Sequence, residues 1–471
     1  MDVVPVPCVP VSYLEDCASR WPERPAVLDA GRALSFAELR DRVHAAAAAL
    51  RLEGVREGAV IAVSLPNVWE YVVLELAIPL LGGVVMPVPL NLGSAEREWA
   101  LGRSGAHLVI GPAEAGDLCA NPYQGTVDPP QPDSRRIVEI ALTSGTTGLP
   151  KLASLGAGLK QVTFESFTGR LEVTHHDRVL CLSPLMQGIG GMCLYCGRLG
   201  AALVMLREPR FSPQHALREA TETRSTLLVG VPTNVIRMLE SPSLAQADLS
   251  TARCTAVAGA PMPPEVAQAW EERTGSRVCI FYGSMDAGQL AVGSPSDPAE
   301  KRWTTVGRIH DRAEAMITPQ GEICMRGPTV QECYWGEQHG PYSEDGWAHT
   351  GDLGFLDMDG YLHVSGRLKD IIIRGGNNVS PHEVEDALRR HPGVADVCVV
   401  ARPHRDLGEA VHAFVVARYP LDVSGLREHP AALGMARYKW PESAELVDEI
   451  PLSGPGKVDR QLLRRRAARI A

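Results

Sequence analysis

Along residues 34–110 the apolar positions switch between two spacings. In "SFAELRDRVHAAAAALRLEG" they recur every three or four residues, which predicts an amphipathic helix. Ser35 and Glu38 stand as a capping box at its start, and Gly54 as its stop. "AVIAVSLP" is a short apolar run of strand length, "NVWEYVVLELAIPLLGG" is helical again, and "VVMPVPL" returns to strand. Strand, helix and strand in succession predict parallel sheet with helices on its faces. After a turn-rich connector the rhythm resumes over 178–292, where "RVLCLSP", "RLGAALVML", "STLLVGVP", "CTAVAGAP" and "RVCIFYG" are separated by helical stretches. From 300 to 365 the pattern is strand-rich, with turn signals in "PQGE" and "DMDGY".

A second unit opens near "GRLKDIIIRGG". In "NNVSPHEVEDALRRHPGV", Ser380 stands as N-cap, Pro381 at the first helical position and Glu383 three residues after the cap. Strand-like "ADVCVVAR" and "AVHAFVVAR" follow. The expected fold class is α/β. A large N-terminal domain of doubly wound sheets with a β-rich subdomain occupies residues 1–368, and a small α+β C-terminal domain occupies residues 369–471.

Composition narrows the function. The 471 residues suit two or three globular domains. The net charge of -10, with the basic tail "RQLLRRRAAR" as the longest like-charge run, disfavours general nucleic-acid binding. Cys193 and Cys196 have CxxC spacing within an apolar run; with no second ligand pair after them they read as buried thiols. The first residues lack a basic region and an apolar core, so no signal peptide is expected. The longest apolar stretch carries Glu75, prolines and glycines, so no membrane span is expected either, and the localisation that follows is cytoplasmic.

The chemistry is concentrated in loops. In "LTSGTTGLPK", Gly145 and Gly148 permit tight turns, Thr143, Ser144, Thr146 and Thr147 supply hydroxyls, and Lys151 supplies a point charge. Backbone amides plus a cation make an anion site, with phosphate as its guest. The loop is no Walker A motif, because Leu152 follows Lys151 and Pro150 precedes it. Further on come "YGSMD" at 282–286, "TGD" at 350–352, "GRLKD" at 366–370 and "GPGK" at 454–457.

That order and spacing resembles the ANL superfamily of adenylate-forming enzymes: acyl- and aryl-CoA synthetases, carrier-protein adenylation domains and luciferases. The resemblance runs from "LSFAELRDRV" to "GKVDRQLLR". It implies an AMP-forming acid–thiol ligase with ATP, Mg²⁺ and CoA, or the phosphopantetheine arm of a carrier protein, as its co-reactants. "TSGTTGLPK" resembles the loop that holds the β- and γ-phosphates. Gly259, Ala260 and Pro261 match the strand end along the adenine, with Tyr282 stacked on its other face and Gly283 and Ser284 beside it. Asp352 matches the acid that takes both ribose hydroxyls, Arg367 a second ribose or phosphate contact, and Asp286 the acid that holds Mg²⁺. Lys457 matches the catalytic lysine that reaches the substrate carboxylate and the α-phosphate. Lys369 matches the hinge on which the small C-terminal domain moves after adenylation, which brings Gly375 and Gly376 in to line the thiol tunnel.

Departures from the family pattern are also legible. Met285-Asp286 stands where Thr-Glu is common, and Gln187 replaces the usual His or aromatic gate. The acyl-pocket candidates are Gln187, Gly188, Gly191, Pro232, Thr233, Ala258, Ser284 and Met285. They are small or apolar for the most part, and "SPLMQGIGGMCLY" offers no acid for a substrate ammonium. The implied substrate is a carboxylic acid with a bulky, uncharged body rather than an amino acid. Two alternatives stay open here: delivery to a carrier protein in trans, and a non-catalytic nucleotide-binding relative. Arg437, Lys439 and Trp440 either meet CoA or pack the domain.

Overall fold

The computed structural model describes residues 12–120, 125–143, 151–186, 188–207, 210–284, 288–426, 429–453 and 457–470. By its internal contacts the chain forms two compact units, residues 1–315 with 325–349, and residues 316–324 with 350–471.

The strands of the first unit are β1 (Pro25–Asp29), β2 (Arg32–Ser35), β3 (Val60–Val63), β4 (Val84–Pro87), β5 (Leu108–Ile110), β6 (Ile137–Thr143), β7 (Lys151–Gly156), β8 (Arg178–Cys181), β9 (Ala202–Met205), β10 (Leu227–Gly230), β11 (Cys254–Val257), β12 (Arg277–Ser284), β13 (Gly288–Val292) and β14 (Arg308–Ile309). The early helices obey their periodicity. Phe36–Leu52 starts at Ser35, whose side chain accepts from the Glu38 amide while the Glu38 carboxylate accepts from the Ser35 amide. Trp69–Leu80 is apolar around its whole circumference and is buried on every side, Glu75 included, as such a helix must be.

Two sheets result. A five-stranded one runs β5-β3-β4-β6-β7, parallel except for the β6–β7 hairpin. A nine-stranded one runs β14-β13-β12-β11-β10-β8-β9-β1-β2, parallel from β12 through β1. Its central strands are continuous apolar runs because both faces are covered. Val179 and Cys181 of β8 enter one core while Leu180 enters the other, and Leu227 and Leu228 of β10 divide in the same way. The doubly wound sheets of the sequence expectation are present.

The chain then passes through β15 (Glu314–Ile317), β16 (Glu322–Arg326), β17 (Ala348–Leu356) and β18 (Leu362–Arg367), the strand-rich stretch that the turn signals predict. Beyond it, β19 (Ile372–Arg374), β20 (Asn377–Val379), β21 (Val394–His404), β22 (Gly408–Ala417) and β23 (Ser443–Leu446) make a sheet in the order β20-β19-β22-β21, with β23 parallel beside β22. Val397 and Val399 of β21 and Val411 and Val415 of β22 meet Val384 and Leu388 of the helix Pro381–Arg389 in one core. The start of that helix differs from expectation in one detail. Ser380 is the N-cap but makes no capping bond; its hydroxyl donates instead to the Ser365 carbonyl at 2.9 Å, tying the helix start to β18. The chain ends in a hairpin of β24 (Leu452–Ser453) and β25 (Lys457–Val458) and a helix, Arg460–Ala467. No helix among the described residues is long and apolar enough to cross a membrane.

Candidate active site

Four adjacent parallel strands, β12, β11, β10 and β8, carry predicted site residues at or just beyond their C-terminal ends. Tyr282, Gly283 and Ser284 close β12. Ala258 to Pro261 follow β11, Pro232 and Thr233 begin the helix after β10, and Gly188 and Gly191 lie in the helix after β8. Chain order explains the convergence. From β8 the chain steps to β9 on one side, then crosses to β10 on the other, so the strand order reverses between β8 and β10. A crevice opens outside the carboxyl ends at such a switch point, and ligands of open α/β sheets bind there. Gly283 pairs with Gln289 of β13, and a Cβ on Gly283 would stand 2.5 Å from the Gly288 carbonyl, so only glycine fits. Gln187, Met285 and Asp286 lie outside the described residues, as do Ser144 to Gly148.

The phosphate-loop candidate joins β6 to β7, whose end residues Thr143 and Lys151 are cross-strand partners. Thr143 is buried, and its hydroxyl has no hydrogen-bond partner among the described residues, an orphaned donor at the mouth of the loop. Lys151 is exposed. Its ammonium lies 3.3 Å from the Tyr334 hydroxyl and 4.6 Å from the centre of the Tyr334 ring.

Tyr334 is a residue that sequence reasoning missed. It bridges to Ala153 of β7, and the Trp335 amide donates to the Leu152 carbonyl at 2.8 Å, so this segment clasps the outgoing strand of the loop. Thr329, upstream on the same segment, donates to the Gln289 carbonyl of β13 at 2.8 Å. The buried amides of Gln289 and Gln331 have no partner among the described residues. A buried aromatic beside a lysine at long sequence separation carries no local signal, which is why the pattern could not reveal it. We predict that Tyr334→Leu raises the KM for ATP in the adenylation half-reaction by about 10-fold, from the loss of one cation–π contact and one hydrogen bond. Tyr334→Phe, which keeps the ring face, should lose less. An unchanged KM in pyrophosphate exchange for Tyr334→Leu would contradict this role.

In the second unit, Asp352 on β17 and Arg367 on β18 are cross-strand partners, with Arg367 Nε 2.9 Å from Asp352 Oδ1. The Asp352 side chain is 9% exposed and that of Arg367 50%. The backbone around Asp352 is pinned. Thr350 donates its hydroxyl to the Ile323 carbonyl and accepts from the Asp352 amide, and the Gly351 amide donates to Glu322. Lys369 is exposed, in the single turn Leu368–Asp370; its carbonyl accepts from Arg464, which also pairs with Asp370. Gly375 and Gly376 form the two-residue turn of the β19–β20 hairpin, at φ 54° and 82°, the positive values that such a turn demands. Lys457 begins β25, paired in register with Ser453.

Fold and family match together define an adenylate-forming enzyme. Residues 14–335 match the AMP-binding enzyme family and residues 383–457 the AMP-binding enzyme C-terminal domain. The chain belongs to the AMP-binding enzyme family. It is 32% identical to a 3-[(3aS,4S,7aS)-7a-methyl-1,5-dioxo-octahydro-1H-inden-4-yl]propanoyl:CoA ligase of Mycobacterium tuberculosis, over 96% of this chain and 97% of that one. It is also 32% identical to a feruloyl-CoA synthase of an Amycolatopsis species, over 94% and 96% of the two chains. Among solved structures, ATP-bound MatB of Rhodopseudomonas palustris superposes with a TM-score of 0.88 at 26% identity, over 98% of this chain and 99% of that one.

Proposed function

We propose that this protein joins a carboxylic acid to CoA in two steps. In the first, a carboxylate oxygen bonds to the α-phosphorus of ATP, the bond from that phosphorus to the bridging oxygen breaks, and pyrophosphate leaves. In the second, the CoA thiol loses its proton and attacks the acyl carbonyl carbon, and AMP leaves with the bonding pair. The observation that carries the reading is the end-to-end similarity to enzymes that make acyl-CoA thioesters.

The residues support a division of labour. Thr143 and Lys151, with the loop between them, would hold the phosphates; the orphaned Thr143 hydroxyl suits an anionic guest. Tyr282 and the Gly259–Pro261 turn would hold the adenine, and Asp352 with Arg367 the ribose. Asp286 is our candidate to hold Mg²⁺, a hard cation that favours carboxylate oxygen and would offset phosphate charge. Lys457 would lie between the two anions that meet in the first step. Residues 1–368 would hold ATP and the acid, and residues 369–471 would turn at Lys369 to exchange Lys457 for the Gly375–Gly376 loop. The mostly small or apolar acyl-pocket candidates beyond β8, β10 and β11 would suit a bulky, ring-bearing acid, in keeping with the hydrindane and feruloyl groups of the two relatives.

Product mass spectrometry tests this. The protein is incubated with ATP, Mg²⁺ and pooled aryl, alicyclic and fatty acids, with and without CoA. An acyl-CoA from a ring-bearing acid is the expected product. Acyl-AMP that accumulates in the presence of CoA would replace CoA with a carrier protein as acceptor, and best turnover of a zwitterionic amino acid would overturn the substrate class.

A further inference from the structure

Along the helix Gly188–Gly197 and just past its end lies a cavity of about 30 Å³. Gly191, one of the acyl-pocket candidates, forms part of its wall, and Leu194, Tyr195 and Arg198 continue along the same side at helical steps. The opposite wall brings in Glu75 from the helix Trp69–Leu80 and Lys160 from the helix Ala157–Arg170. Lys160 Nζ lies 3.2 Å from Glu75 and also pairs with Glu139 of β6; the three side chains are 10%, 10% and 15% exposed.

Arg198 is the second cation. Its guanidinium lies 5.5, 5.2 and 5.4 Å from the ring centres of Tyr13, Phe164 and Tyr195, and it donates to Gln161 at 3.0 Å. No carboxylate pairs with it among the described residues. A guanidinium has five N–H donors, so it retains donors for a guest in the cavity that it lines.

The formal charges of the cluster cancel, Lys160 and Arg198 against Glu75 and Glu139. A second carboxylate on the substrate would upset that balance in a desolvated place. Burial pushes the Glu75 carboxyl up to about 7, against the pull of Lys160 and with Glu139 adding to the rise. A neutral oxygen accepts from Arg198 without adding charge.

We propose that this cavity is the far end of the acyl pocket, and that it takes a neutral oxygen acceptor at the end of the acyl body remote from the activated carboxylate. The inference rests on the acid–thiol ligase reading and extends it to a substrate class. Gly191 is the residue that this cavity shares with the acyl-pocket candidates, and a Cβ there would stand 3.3 Å from the Leu185 carbonyl.

The test compares 3-(4-oxocyclohexyl)propanoate with 3-cyclohexylpropanoate, and with butanoate as a short control, by kcat/KM. The protein should prefer the ketone over its cyclohexyl analogue by roughly 10- to 100-fold, the range for a hydrogen bond to a charged group. Arg198→Met should erase that preference by slowing the ketone alone. Arg198→Lys, which restores a charged donor, should recover part of it. A fold defect would instead slow all three acids together in Arg198→Met and leave no selective rescue by lysine; that result, or equal kcat/KM for the two ring acids in the unsubstituted protein, overturns the inference alone. Absence of acyl product with every acid, butanoate included, overturns the ligase reading and the inference with it.

Discussion

Lys457→Ala is expected to slow acyl-AMP formation by roughly 10²- to 10³-fold, the cost of removing one preorganised charge from a developing oxyanion. Thioester formation from supplied acyl-AMP should keep most of its rate. The asymmetry follows from electrostatics. A carboxylate attacking a phosphate brings two anions together, and a lysine between them lowers that barrier; a thiol attacking an acyl-adenylate meets a neutral carbonyl carbon and gains little from the same charge. The backbone at Lys457 is held by its neighbours on both sides. Its strand pairs with Leu452–Ser453, and the Asp459 side chain caps the next helix by accepting from the Leu462 amide at 2.9 Å. Pyrophosphate exchange reads the first half-reaction, and CoA-dependent loss of synthetic acyl-AMP reads the second. Equal losses in both would contradict the exchange of Lys457 for the Gly375–Gly376 loop between steps.

The parallel sheets were legible because their strands are buried on both faces and flanked by amphipathic helices, so period and length alone separated strand from helix. The capping box at Ser35 was legible for a local reason, two side chains three residues apart that satisfy each other's amides. Ser380 shows the limit of that logic. The same residue type at the same kind of helix start turns its hydroxyl to Ser365, a partner fifteen residues away that no local rule nominates. Site residues followed suit. Candidates on glycine-rich strand ends stand out by motif order and spacing, whereas Tyr334 meets Lys151 across 183 positions and Arg198 lies against rings from three separate segments. The Glu75–Lys160–Glu139 cluster was invisible for the same reason: in sequence Glu75 only interrupts an apolar run, and its meaning lies in what packs against it.

Asp352→Ala is expected to lower kcat/KM for ATP in adenylation by roughly 10²-fold or more, since two hydrogen bonds to a charged acceptor are lost at once. Little of this should come from unfolding. Arg367 is half exposed, so its freed guanidinium can hydrate, and a partly exposed pair contributes little to stability. The ribose assignment gives a sharper check than the loss alone. A carboxylate that accepts from both ribose hydroxyls should make the unsubstituted protein discriminate against 2′-deoxy-ATP, and Asp352→Ala should respond nearly equally to the two nucleotides. Asp352→Asn keeps one acceptor oxygen and should fall between them. The four rate constants form a cycle whose coupling term isolates the contact. If Asp352→Ala discriminated against the deoxynucleotide as strongly as the unsubstituted protein does, the 2′-hydroxyl would be held by another group, and the ion pair with Arg367 would be a structural clamp between β17 and β18.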